Sequence, residues 1–287
     1  ARQMGARKDD WSGTLMLVVQ PAEERGLGAK AMRADNIWQR FGTPDYALAF
    51  HVEAGTPAGK IEAPEGAAYA GADTVDIIVH GVGTHGGSPH KGKDPVLIGS
   101  QIVVALQTLV ARELPPYSPG VVTVGSFHAG SKHNIISDRA QLQLTVRNTS
   151  LETRELLLQG IERIAKNAGR MAGLPEELLP EVIVAAESVP PTINNAALAR
   201  RLKRAWSETL GDEILQEESP DGMVAEDFPY FTIEPDIQSV YWGIGGTPQA
   251  DLDAAAAGGP MVAGHHSPLF KIAPAPSVTA GVKSSVV

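Results

Sequence analysis

Three groups of side chains in this sequence could do chemistry. Glu23 and Glu24 stand side by side after the apolar run Gly13–Val19, in the stretch Gln20-Pro21-Ala22-Glu23-Glu24. Neighbouring side chains diverge, so one carboxylate could hold a metal while the other reaches a water. A solvated pair at a helix start, favoured by the helix dipole, is the structural alternative. His51 closes a second apolar run, Tyr46–Val52, and His265 and His266 lie between Gly264 and Ser267-Pro268. Glu, His and His on loops at strand ends make an N/O ligand set that suits a divalent ion such as zinc. In open parallel sheets the carboxyl edge of the strands is where ligands bind. The third group is more scattered. His85 and His90 sit in the Gly-rich turn GVGTHGGSPH (81–90), and Asn134 and Arg147 follow later. Arg147 ends an apolar strand, where a guanidinium could clamp a substrate carboxylate in bidentate fashion. An ion pair inside the domain is the alternative there.

The elements that must position these groups are legible from periodicity. Strand (13–19), helix (29–40), strand (46–52) has the spacing of a βαβ unit and predicts a mostly parallel sheet. The pattern changes near residue 72. A strand at 74–80, a helix at 95–113, strands at 120–127 and 140–146, a helix at 151–170 and a strand at 181–186 give the order βαββαβ, the split ferredoxin-like unit. Pro190-Pro191 marks the return to the first pattern. A helix at 195–209 and a strand near 239–242 follow, and the Ala-, Gly- and Pro-rich stretch 247–263 reads as a mobile loop. The organisation expected is an α/β chain with a discontinuous domain, 1–72 and 188–287, interrupted by an inserted domain, 73–187.

Composition bounds the partners. The 287 residues carry 24 Lys and Arg against 33 Asp and Glu, a formal charge of −9. No basic field exists to attract phosphate, which argues against nucleic acid and anionic membranes. Cysteine is absent, which excludes disulfides, thiolate metal sites and cysteine nucleophiles within these residues. No apolar run reaches the ~20 residues of a membrane span. A metal-free glycosidase would need two carboxylates facing each other across a substrate, and adjacent Glu23 and Glu24 do not provide that.

Taken together, the motifs resemble the metal-dependent amidohydrolases and carboxypeptidases of the hippurate hydrolase, aminoacylase and indole-acetyl-amino-acid hydrolase type. The stretches that carry the resemblance are Gly13–Glu24, Ala49-Phe50-His51-Val52, Gly81–Pro95, Gly130–Asp138 with Thr145-Val146-Arg147, Ala225-Glu226-Asp227-Phe228 and His266-Ser267-Pro268-Leu269-Phe270. The resemblance implies a zinc-peptidase-like catalytic domain holding two divalent ions per subunit (Zn, Co, Mn or Ni). It also implies an inserted lid domain through which the protein forms a homodimer. Residue by residue, Glu23 matches the general base acting on a metal-activated water. Glu24, His51 and His266 match metal ligands, with Glu24 and His266 on one ion and His51 on the other. His85 matches a histidine supplied by the partner subunit's lid to polarise the scissile carbonyl. Asn134 and Arg147 match lid residues that bind the substrate's carboxylate end. His265 receives no role.

The implied substrate is a small N-acyl amino acid or peptide-like amide. The family carries two further ligands, a cysteine or aspartate and a histidine, upstream of the first strand, and the sequence as given starts after that point. The catalytic domain is therefore expected to be incomplete. The alternative reading is a fragment that keeps only the dimerising lid interaction. The compartment stays open between the cytoplasm, which is favoured, and the periplasm.

Overall fold

The computed structural model describes residues 1–217 and 223–287. In chain order the strands are β1 (Tyr46–Pro57), β2 (Ile61–Glu62), β3 (Gly66–Tyr69), β4 (Gly71–His80), β5 (Thr84–His85), β6 (Gly120–Ala129), β7 (Ile135–Ile136), β8 (Arg139–Asn148), β9 (Glu181–Val184), β10 (Thr192–Asn194) and β11 (Gln238–Thr247). The chain divides into two compact units. The first comprises 1–68, 192–222 and 227–287, and the second comprises 69–191 and 223–226.

The first unit is built on the parallel pair β1·β11, which runs in register from Tyr46↔Gln238 to Glu53↔Gly245 and becomes irregular between Glu53 and Pro57. β2 joins the other edge of β11 in antiparallel sense. β11 is buried on both faces, as a central strand between layers must be. Its core faces the helices Ala196–Leu210 and Pro274–Val286. Trp206 and Trp242 pack with ring centroids 5.4 Å apart. Both indoles donate to Ser284, Trp206 to the backbone carbonyl at 3.0 Å and Trp242 to the hydroxyl at 3.2 Å. Buried indole N–H groups need such partners, and one serine supplies both.

The second unit is an antiparallel sheet in the order β6-β8-β4-β9. Two helices, Pro95–Thr108 and Leu151–Met171, share its hydrophobic core. Alternation on β8 buries Leu142, Leu144 and Val146, while Leu157, Ile161, Ala165 and Ala168 face inward from the long helix. Asp94 caps the first helix and Ser150 the second, each side chain accepting from backbone N–H groups of the first turn. Asp73 on β4 is wholly buried and is met by a bidentate Arg154 from the long helix, with N–O distances of 2.6 to 3.1 Å.

Several expectations change. Gly13–Val19 does not form a strand. Its apolar side chains face outward, with Leu17 64% and Val19 81% exposed. A strand buried on both faces needs neighbours to receive its backbone groups, and among the described residues none pairs with this run. In the three-stranded sheet of the first unit, among the described residues, β1·β11 keeps the expected parallel sense while β2 joins antiparallel. The helix expected at 29–40 is two short ones, Gly28–Ala34 and Ile37–Phe41, broken where Asn36 takes the left-handed conformation. The loop expected at 247–263 contains the helix Gln249–Ala256.

Two stability tests follow from these contacts. Arg154→Ala leaves the Asp73 carboxylate buried without its partner, and urea unfolding should show a loss of roughly 3–5 kcal/mol; an unchanged midpoint would rule out the pair as a tie between sheet and helix. Glu65 accepts from Lys203 and Arg200, which hold its carboxyl below the usual carboxylate range. A depressed native value stabilises the fold above the unfolded value of ~4.3, and the benefit fades as pH falls through the native value. Glu65→Gln should accordingly lower Tm at pH 7, with the gap to the parent closing in acid below about pH 4.

Candidate metal centre

The Glu23-Glu24 loop is built from backbone constraint. Ala22 has φ 55°, a left-handed conformation for a residue with a side chain, and opens the short 3-10 turn Glu23–Arg25. Gly28 then starts the next helix so close to the loop that an added Cβ would lie 1.7 Å from the Pro21 carbonyl oxygen. The loop is also tied to Asp227, which is fully buried. Gln20 Nε2 donates to Asp227 Oδ1 at 2.5 Å, and the Ala29 N–H at the helix start donates to Oδ2 at 3.0 Å. A carboxylate at a helix N-terminus meets both the orphan N–H groups and the positive end of the dipole.

The two glutamates do face different groups. The Glu24 carboxylate is 3.6 Å from His266 Nδ1, and both side chains are exposed. Glu23 brings a carboxylate oxygen within 4.8 Å of one from Asp227. His51 does not share the Glu24–His266 pair but faces His265, its ring centroid 5.1 Å away in an edge-on arrangement. His265 also stacks near Phe270, at 5.0 Å. The adjacent residues 265 and 266 thus approach different carboxylates, Glu53 and Glu24, and His266 is left-handed at φ 63°. Left-handed backbone costs an L-residue roughly 1–2 kcal/mol, and such outliers gather at functional sites.

Glu53 is a residue that the sequence reading missed. It lies 3.7 Å from His51 Nδ1 and 3.4 Å from His265 Nε2. Its signal was the period of two along β1, which puts His51 and Glu53 on one face. His265, left without a role by the motifs, belongs to the same cluster. A divalent ion fits these residues by donor chemistry: two imidazoles and a carboxylate converge within 4.8 Å of one another.

The remaining candidates sit in the second unit. The short pair β5·β7 sets His85 opposite Ile135, and the Gly86 N–H donates to the Asn134 carbonyl at 2.7 Å, so His85 and Asn134 share one corner. The Gly87 N–H donates to His85 Nδ1 at 3.0 Å, which in the neutral ring leaves the proton on Nε2. Asn134 Oδ1 is buried with no hydrogen-bond donor among the described residues. Arg147 is not in that corner. It pairs with Ala72 at the far end of β8, whereas Arg139, opposite His80, marks the end next to the β5·β7 corner. From Arg139 to Arg147 the strand climbs roughly 26 Å at ~3.3 Å per residue.

Comparison with known proteins accords with these motifs. Residues 1–257 match the pattern of Peptidase family M20/M25/M40. Over 222 residues the chain is 33% identical to hippurate hydrolase of Campylobacter jejuni, covering 77% of this chain and 56% of that protein. Over 220 residues it is 34% identical to IAA-amino acid hydrolase ILR1-like 2 of Arabidopsis thaliana, covering 76% and 48%. The chain therefore spans about half the length of these curated relatives. Among solved structures, one from methicillin resistant Staphylococcus aureus superposes with a TM-score of 0.84 at 27% identity, covering 99% of this chain and 68% of the other. The YXEP protein of Bacillus subtilis, a dinuclear metal binding peptidase from the M20 family, shares the fold with a TM-score of 0.70 at 23% identity, covering 97% and 65%. The match across residues 1–257 decides the question raised by the motifs: this chain belongs to Peptidase family M20/M25/M40.

Proposed function

We propose that this chain carries the hydrolytic machinery of a metal-dependent amidohydrolase acting on N-acyl amino acids or small peptide-like amides. The observation that carries this reading is the divergence of the adjacent glutamates. Glu24 faces His266, as a ligand pair would, and Glu23 faces elsewhere. A divalent ion held by Glu24 and His266, with a second on His51, would polarise the scissile carbonyl and acidify water. Glu23 takes the proton from the attacking water and delivers it to the departing amine nitrogen, acting first as base and then as acid. One water and one amide are consumed, and a carboxylic acid and an amine are released.

The second unit would act as the lid. Its βαββαβ order and β6-β8-β4-β9 sheet fit the ferredoxin-like reading. His85, with its proton on Nε2, suits donation to the carbonyl oxygen as charge develops there. Asn134 Oδ1 would find its missing donor in the substrate. Arg147 would clamp the free carboxylate, since no intradomain ion pair occupies it among the described residues. Arg147 lies roughly 26 Å along β8 from Arg139, the end that borders the corner with His85 and Asn134, further than one small substrate spans. That separation supports a homodimer in which the partner subunit's lid supplies the corner. Pairing of the long edge strand β6 with its copy would cover an otherwise exposed edge.

The names of two relatives, hippurate hydrolase and IAA-amino acid hydrolase, support an aromatic or indolic acyl group on an amino acid. The test uses the 287-residue chain, or a longer polypeptide containing it, supplied with Zn²⁺, Co²⁺ or Mn²⁺ and hippurate. Glu23→Gln should lower kcat by at least ~100-fold while metal content stays at the parent level. Retained turnover in Glu23→Gln would remove this residue from the mechanism. Metal-dependent hydrolysis lacking in every form, with the lid still dimeric by sedimentation, would favour the interaction-module reading.

A further inference from the structure

We infer that Glu53 and His265 join His51 as direct ligands of a divalent cation, making a His-Glu-His set separate from the Glu24–His266 pair. The inference rests on the reading of this loop cluster as metal-binding, but it assigns two residues that the motifs leave without a role.

The first support is spacing. Bonds of ~2.0–2.1 Å in a tetrahedral site put neighbouring ligand atoms about 3.3–3.4 Å apart. Glu53 Oε2 and His265 Nε2 stand 3.4 Å apart, and atoms of all three residues lie within 4.8 Å of one another. The second is tautomer control. His51 Nδ1 is 2.6 Å from the Val52 carbonyl oxygen, so that nitrogen carries the proton and donates. In that tautomer Nε2 is the ring's acceptor nitrogen, and a backbone carbonyl is a usual outer partner of a ligating imidazole. The third is burial. The side chains of Glu53 and His265 are only 23% and 25% exposed. A carboxylate and two imidazoles gathered that far from water are the donor types a divalent cation takes.

The backbone also makes room for this carboxylate. Gly243 on β11 lies opposite His51, and a Cβ there would come within 2.7 Å of Glu53 Cγ. Glu53 is the last regularly paired residue of β1 before the ladder becomes irregular. Irregular ladder positions often re-aim a side chain beside a site. His265 is held by Phe270 and by the Ala54 N–H, 3.3 Å from its Nε2. An ion would take over that lone pair.

The experiment measures Co²⁺ binding to the 287-residue chain by equilibrium dialysis with elemental analysis, and by the visible absorption of the bound ion. It compares the parent with Glu53→Gln, Glu53→Asp, His265→Ala and Glu24→Gln, each checked for native far-ultraviolet circular dichroism. Glu53→Gln and His265→Ala should each weaken one class of bound ion at least 10-fold and change its absorption band. Glu53→Asp should keep the band with intermediate affinity, and Glu24→Gln should leave this class in place. The inference is overturned if Glu53→Gln and His265→Ala bind with the parent's affinity and spectrum. If Glu24→Gln alone then loses ion, the metal-binding reading survives while the new ligands do not. A parent chain that binds no Co²⁺ also overturns the inference.

Discussion

Asp227 holds the Glu23-Glu24 loop where it is. Its carboxylate is wholly buried, and its oxygens accept from Gln20 on one side and from the Ala29 N–H on the other. Those two donors flank the loop, one before Glu23 and one after Gly26. The loop is therefore drawn tight across a single buried anion far away in sequence. Burying a charge is costly unless hydrogen bonds meet it, so loop and carboxylate require each other. The left-handed Ala22 and the bare Cα of Gly28 are the local conditions that allow such a short span.

The parallel pair β1·β11 provides the other half of the frame. β11 is buried along nearly its whole length and anchors through Trp242 to Ser284. β1 rides beside it in register as far as Glu53, so His51 and Glu53 are placed by paired backbone. Side chains on a paired strand are better positioned than side chains on free loops, and here β1 carries His51 and Glu53 while Glu24 and His265-His266 come from two loops.

Much of this architecture was legible from periodicity. The helix 151–171 follows its apolar face, and the alternation of β4 and β8 marks their buried sides, because both patterns are properties of a single segment. Other features needed information from elsewhere in the chain. The run Gly13–Val19 is apolar enough for a strand, yet a strand exists only where another backbone receives its hydrogen bonds. The helix 249–256 was hidden by surrounding Gly and Pro, although its own residues include good helix formers behind Pro248. Glu24 and His266 lie 3.6 Å apart, and the approach of His51 to His265 was not readable. The motifs gave a role to His266 and none to His265, and the left-handed φ at His266 is a feature no motif carries.

That dipeptide has a further meaning for how the protein could change over time. His265 and His266 share one peptide bond, yet each serves a different acidic partner, Glu53 and Glu24. Both imidazoles are carried by one short turn, so whatever places that turn places both. Substitutions in Gly264 or Ser267-Pro268 would be felt by both at once. A substitution that alters one cluster and spares the other would therefore have to lie on β1 or on the glutamate loop, not in the double-histidine turn that both share.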